Sequence, residues 1–168
     1  LGVRTIFNVL GPLTNPAGAT RQVIGVYSGE LTEMLIGVLR RLGSERAFVV
    51  HGSDGLDEIT ITGTTLVSEL REGSIFNYEV SPESVGFMKA SVGDLKGGNA
   101  EENAKILLSI LQGELGPRRD IVLFNASAAI VAGGLAKDLK EGIVLAREAI
   151  DSGQAMQKLE GLKTVSQG

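Results

Sequence analysis

The sequence predicts an α/β fold, a central mixed sheet flanked by helices, and three observations predict it. A short apolar run, an amphipathic stretch and a second apolar run follow one another between Gln22 and Val50. The hydrophobic period then drops to two between Ile59 and Val80, and returns to helical spacing from Asn99 onward. The first pattern is a βαβ unit with parallel strands, and the second is an antiparallel excursion. With 168 residues, 43% of them hydrophobic, the chain is long enough for one core.

Within Leu1 to Leu10, the positions of Val3, Ile6, Phe7 and Leu10 fit one face of a short helix, which Gly11-Pro12 stops. Gly11 to Ala19 holds two of the four prolines and reads as a loop or hinge. Gln22 to Tyr27 is a short β-rich strand. Leu31, Met34, Leu35, Val38, Leu39 and Leu42 then form the stripe of an amphipathic helix that Gly43 ends. Arg46 to Val50 is the second strand, buried through Phe48-Val49-Val50.

Ile59 and Ile61 alternate with Thr60 and Thr62, Thr64 to Leu70 is β-prone, and Phe76, Tyr78 and Val80 alternate with polar residues. Arg71 to Ser74 is the turn between the last two strands, and Ser81-Pro82 ends the excursion. Pro82 to Gly98 carries no clear period, and Asp94 to Gly98 reads as a loop. Asn99 and Glu102 have the spacing of a capping box for a helix to about Gly113. A second helix over Asp120 to Leu135 presents Phe124, Ala128, Val131 and Leu135 on one face. Asn125 and Ser127 within it read as buried polar groups bonded to backbone, with ligand contact the other option. Asp138 and Glu141 start a third helix with the stripe Leu139, Ile143, Ala146 and Ile150. Gln154 to Leu162 is a last one, fraying over Thr164 to Gly168.

Ligands of open α/β sheets gather beyond the carboxyl ends of strands. Here that place is His51-Gly52-Ser53-Asp54-Gly55-Leu56-Asp57-Glu58, where an apolar strand gives way to glycines and carboxylates. Asp57 and Glu58 are hard oxygen donors of the kind Mg2+ prefers, which points to a metal-chelated phosphate. On a regular strand these neighbours would face opposite ways, so they serve one ion only where the backbone is irregular. A solvated acidic loop is the plain alternative. His51 is the single histidine, and at a strand end it reads as a structural hydrogen-bonder more than as an acid or base.

A net charge of −4 argues against a non-specific nucleic-acid binder. With no cysteine, disulfides and thiolate metal sites are excluded. No apolar run approaches the length of a membrane span and no leader opens the chain, so a soluble cytoplasmic protein is the simplest reading. Leu1 in place of Met points to part of a longer protein. Zinc motifs, the P-loop and the dinucleotide fingerprint are absent.

The run Leu1-Gly2-Val3-Arg4-Thr5-Ile6-Phe7-Asn8-Val9-Leu10-Gly11-Pro12-Leu13-Thr14-Asn15-Pro16 closely resembles a signature of anthranilate phosphoribosyltransferases. Val50 to Glu58 resembles their second, in the same order and separation. The resemblance implies the large α/β domain of the nucleoside phosphorylase and phosphoribosyltransferase type, here incomplete. It further implies transfer of a phosphoribosyl group from phosphoribosyl pyrophosphate to anthranilate in tryptophan biosynthesis. Asp57 and Glu58 would then bind Mg2+ associated with the pyrophosphate, and Gly11 and Pro12 would lie along the anthranilate site. Residues 1–16 would contribute a helical segment to a small domain and the hinge, and residues 17–168 the C-terminal part of the α/β domain, in a homodimer.

The family's Gly-Thr-Gly-Gly-Asp loop, its metal-binding serine and an arginine that contacts anthranilate are expected upstream of Leu1, so the chain alone is expected to have little activity. Arg4 occupies a different place in the motif from that arginine. Two other readings share parts of this pattern. A pyrimidine nucleoside phosphorylase-like enzyme would keep the architecture, but Asp57-Glu58 and Gly11-Pro12 favour the transferase. A non-catalytic nucleic-acid-binding relative is opposed by the acidic balance.

Overall fold

A computed structural model of the chain describes residues 11–14 and 17–166, so the helix expected over Leu1–Leu10 and part of the expected hinge lie outside the described residues. Strand β1 (Arg21–Gly25), helix α1 (Glu30–Arg41) and strand β2 (Arg46–Gly52) form the predicted βαβ unit, with β1 and β2 parallel. Strands β3 (Thr65–Arg71) and β4 (Ser74–Val80) add an antiparallel hairpin, giving a mixed sheet in the order β1-β2-β3-β4. Four helices follow: α2 (Ala100–Leu111), α3 (Pro117–Ala132), α4 (Leu139–Asp151) and α5 (Gln154–Ser166).

The sheet separates two apolar clusters because alternate residues of β2 face opposite ways. Ala47 and Val49 pack with Leu35, Ile36, Leu39 and Leu70 on the α1 side. Phe48 and Val50 pack with Val67, Phe87, Phe124, Ala128 and Ile143 on the side of α3 and α4. Burial of such side chains contributes ~1.5 to 3 kcal/mol each, so these faces hold the layers together. Met34 of α1 and Leu42, which caps its end, were expected on the buried stripe and are exposed, while Thr32 is buried with its hydroxyl donating to Gly29 O at 2.8 Å.

Several expectations need correction. Ile59 to Thr62 is not a strand: alternation of burial fails because Thr60 is as buried as Ile59 and Ile61, at 0% exposure. Its backbone groups find side-chain partners rather than a ladder, Thr60 N donating to Thr65 Oγ1 at the start of β3 at 3.0 Å. The segment from Pro82 to Gly98 holds two short 3-10 turns, Glu83–Val85 and Val92–Leu95. Asp94, expected in a loop, belongs to the second turn and accepts the Ser91 N–H at 2.8 Å. Helix α3 starts earlier than expected, at Pro117, where proline is favourable. It also stops earlier, which leaves Leu135 75% exposed instead of on the core stripe. Helix α5 runs on to Ser166 where fraying was expected, with none of its residues buried.

The capping reading of α2 holds: Asn99 Oδ1 accepts from Glu102 N at 3.0 Å and Glu102 Oε2 from Asn99 N at 2.9 Å. Asp138 caps α4 by accepting Glu141 N at 2.9 Å. Buried Arg119 ties the start of α3 to Gly113 O at 3.1 Å and to the Asp151 carboxylate at the end of α4. Ser127 is buried and donates to Phe124 O at 2.6 Å, the backbone partner expected of it. Among the described residues no helix is long and apolar enough to cross a membrane.

Candidate active site

The carboxyl ends of β1 and β2 lie side by side, and the chain leaves β2 into a loop over residues 53–64. That loop folds on its own hydrogen bonds. Gly52 N donates to Leu56 O at 2.8 Å, Gly55 N to Gly52 O at 2.9 Å, and Ser53 N to Thr64 O at 2.9 Å across its base. Gly55 sits at φ +90°, a conformation that side chains disfavour, and it turns the chain so that Asp57 and Glu58 leave strand geometry. The irregular backbone that a shared ion requires is present.

Asp54 has a different task from its two acidic neighbours. Its Oδ2 accepts from Thr60 Oγ1 at 2.6 Å and from the Thr62 hydroxyl, and its Oδ1 accepts from Leu56 N at 3.2 Å. Burial alone would raise its pKa, but the Thr60 and Thr62 hydroxyls and the backbone donors outweigh it and hold the carboxyl below its ordinary value. Asp54 is thus a structural anion that braces the loop. Asp57 and Glu58 are exposed and form no ion pair among the described residues.

Two residues outside the loop fix where these carboxylates stand. Gly25, the last residue of β1, lies against the Asp57 backbone so closely that a Cβ there would come within 1.6 Å of the Asp57 carbonyl oxygen. On the other side, Asn125 of α3 reads both backbone groups of Ile59, its Oδ1 accepting from Ile59 N at 2.9 Å and its Nδ2 donating to Ile59 O at 2.8 Å. The pair Asp57-Glu58 is held between these two anchors. Asn125 was legible as a buried polar group, though not as a clamp on this loop. Gly25 left no signal except a glycine after an apolar run.

His51 is structural, as expected: its Nδ1 lies 2.8 Å from Val26 O and joins the end of β2 to the segment after β1. Glu58 borders an apolar cleft of about 780 Å³ whose walls include Leu56, Ile106, Ile110, Ile121 and Val122. Arg118 stands at its polar side, fixed by Asp94 O and Lys96 O at 3.2 and 2.8 Å. Gly11 and Pro12 open a 3-10 turn, Gly11–Leu13. Leu13 shares a recess with Thr20, Gln22, Leu42 and Ser44 around the starts of β1 and β2. Leu13 therefore stands at the pole opposite Asp57 and Glu58.

Comparison with known proteins gives the same direction throughout. Residues 1–156 match the model of the glycosyl transferase family, a/b domain. An anthranilate phosphoribosyltransferase of Acetivibrio thermocellus is 56% identical over 160 residues, covering 95% of this chain and 46% of the relative. One of Bradyrhizobium diazoefficiens is 54% identical over 168 residues, covering 100% of this chain and 50% of the relative. The crystal structure of the enzyme from Thermus thermophilus superposes with a TM-score of 0.86 at 47% identity, over 95% of this chain and 47% of that one. The Saccharomyces cerevisiae enzyme in complex with PRPP and Mg does so with a TM-score of 0.83 at 33% identity, over 95% and 46%. The chain spans about half the length of the curated relatives it matches. From residue 1 to residue 156, and with anthranilate phosphoribosyltransferases as its near relatives, the chain belongs to the glycosyl transferase family through its a/b domain.

Proposed function

We propose that this chain is the α/β part of an anthranilate phosphoribosyltransferase, which transfers the phosphoribosyl group of phosphoribosyl pyrophosphate to the amine of anthranilate in tryptophan biosynthesis. The observation that carries the reading is the pair Asp57-Glu58, two exposed carboxylates that form no ion pair among the described residues, on an irregular loop beyond the parallel strands β1 and β2. Relatives at 54–57% identity named for that activity support it, as does the yeast structure with PRPP and Mg.

The donor set fits Mg2+, which takes one or two protein carboxylates and completes its shell with waters and substrate phosphates. No group of three or more His, Cys, Asp or Glu that could hold a metal ion gathers among the described residues, so Asp57 and Glu58 would be a partial shell that substrate oxygens complete. When bound, the ion supplies positive charge against the departing pyrophosphate. The residues themselves do the positioning: Gly25 and Asn125 fix the backbone of the loop, and Asp54 braces it from within. The aromatic amine of anthranilate is already a nucleophile, so orientation carries more of the rate than a general base.

In the same reading, which for these residues rests on the sequence resemblance, Gly11 and Pro12 line the anthranilate site of the intact enzyme, residues 1–16 form a helical segment of a small domain with its hinge, and residues 17–168 belong to the α/β domain. The enzyme is a cytoplasmic homodimer. The yeast complex with 4-fluoroanthranilate supports an anthranilate site in a structure of this kind. The test is Asp57→Asn combined with Glu58→Gln in the intact enzyme. Turnover is expected to fall by at least about tenfold and the Mg2+ requirement to shift to higher concentration. Unchanged turnover across the same magnesium titration would remove the assignment.

A further inference from the structure

At the starts of β1 and β2, the pole opposite the Asp57-Glu58 loop, the β2–β4 surface carries a second recess of about 480 Å³. It lies where α3 ends at Ala132 and the chain turns away before Asp138 caps α4, over the end of β3 and the first half of β4. The register puts Arg46 opposite Arg71, and Phe48 opposite Glu69 opposite Phe76, so their side chains share one face of the sheet.

The charges in this recess do not cancel. Four cations, Arg46, Arg71, Lys137 and Lys140, meet two carboxylates, Glu69 and Asp138. Both carboxylates are already engaged. Glu69 accepts from Arg46 Nη2 at 3.3 Å and from Tyr78 OH at 2.9 Å, and Asp138 caps α4. Burial, followed by the adjacent Glu69 charge and the hydrogen bond to it, pushes the Tyr78 phenol well above its ordinary range, which keeps it a donor. Among the described residues Arg71, Lys137 and Lys140 form no ion pair, and Arg71 stacks 4.7 Å above the Phe76 ring. The Arg46 Nε is buried with no hydrogen-bond partner. A buried donor without an acceptor is costly and points to a group that completes it. The N-terminus of α4 adds partial positive charge at the same place.

We propose that this recess binds a phosphomonoester with a compact apolar body. The excess of two positive charges matches a group that carries about −1.5 to −2 near neutral pH. The rings of Phe76 and Tyr78 with Val85, Val131 and Leu139 supply the apolar wall. Guanidinium groups suit phosphate oxygens through paired N–H donors.

The test is a calorimetric titration of the intact protein with phenyl phosphate and, separately, with inorganic phosphate. Phenyl phosphate is expected to saturate a site and to bind at least about fivefold more tightly than inorganic phosphate. In Arg71→Gln with Lys140→Gln, two exposed side chains, affinity is expected to fall by about tenfold or more while the ligand-free melting temperature holds. Asp57→Asn is expected to leave binding unchanged. The proposal is overturned by no saturable binding up to about 10 mM, by equal affinity in the double variant, or by loss of binding in Asp57→Asn.

Discussion

A methyl group on Gly25 would lie 1.6 Å from the carbonyl oxygen of Asp57, against backbone that has no rotamer to give way. Gly25→Ala must therefore displace the loop, the end of β1, or both, at a cost in the range of about 1–3 kcal/mol for overpacking. The expected signature is a lowered melting temperature together with a weakened Mg2+ dependence in the intact enzyme; a variant that melts and titrates as the parent would show that Gly25 does not position Asp57. Asp54 makes a second prediction at this scale. Its folded pKa is depressed below 3.8, so its contribution is present above that value and is lost as pH falls through the folded pKa. Asp54→Asn is expected to lower stability at neutral pH by about 0.5–1 kcal/mol, a figure kept small because the carboxyl is largely solvated. The loss between parent and variant should narrow on acidification below about pH 4. Denaturant melts of both proteins at neutral and acid pH measure it, and a gap that stays constant would contradict the role given to Thr60 and Thr62.

At the scale of elements, the loop over residues 53–64 behaves as a unit clipped to α3 rather than as the strand its alternating Ile and Thr residues imitate. Asn125 is the clip. Replacing it with Leu strands the N–H and C=O of Ile59, each a group that costs about 1–3 kcal/mol when left unsatisfied. The expected result is faster amide exchange confined first to the loop and a lower affinity for Mg2+ with substrate in the intact enzyme; exchange unchanged at Ile59 would show that the clamp is dispensable. This loop also marks where the sequence stops being readable. The strands β1 to β4, the capping of α2 and α4 and the acidic pair rest on local signals, namely periodicity, cap spacing and turn chemistry. Asn125 and Ile59 are 66 residues apart, and Gly25 and Asp57 meet only because β1 and β2 lie side by side. Alternation misled at Ile59 to Thr62 because a buried threonine satisfied by Asp54 leaves the same pattern as an exposed one on a strand. Leu135 misled in α3 because periodicity runs through a helix end that Gly133 and Gly134 terminate.

For the whole molecule, β2 is the shared wall between two cores, and its residues Ala47 to Val50 are each at most 1% exposed. Phe48 and Val50 face the cluster under α3 and α4, while Ala47 and Val49 face the cluster under α1. If β2 transmits packing between layers, a cavity on either face lowers the stability of both, since close-packed interiors relax only partially around a deletion. Phe48→Ala is expected to cost about 3–5 kcal/mol and Leu35→Ala about 2–5 kcal/mol, each through a single unfolding transition. Native-state hydrogen exchange discriminates more sharply than the melt. In Phe48→Ala, amides of α1 on the far side of the sheet should lose as much protection as those of α3, because both report the same global opening. Protection lost in α3 alone, with α1 unchanged, would mean that the two faces unfold independently. The Asp57-Glu58 loop would then rest on the α3 layer through Asn125 without the βαβ unit behind it. The coupled outcome instead makes the site's geometry a property of the whole sheet: the strand that ends at Gly25, the strand that leads into the loop and the helix that clips it move together or not at all.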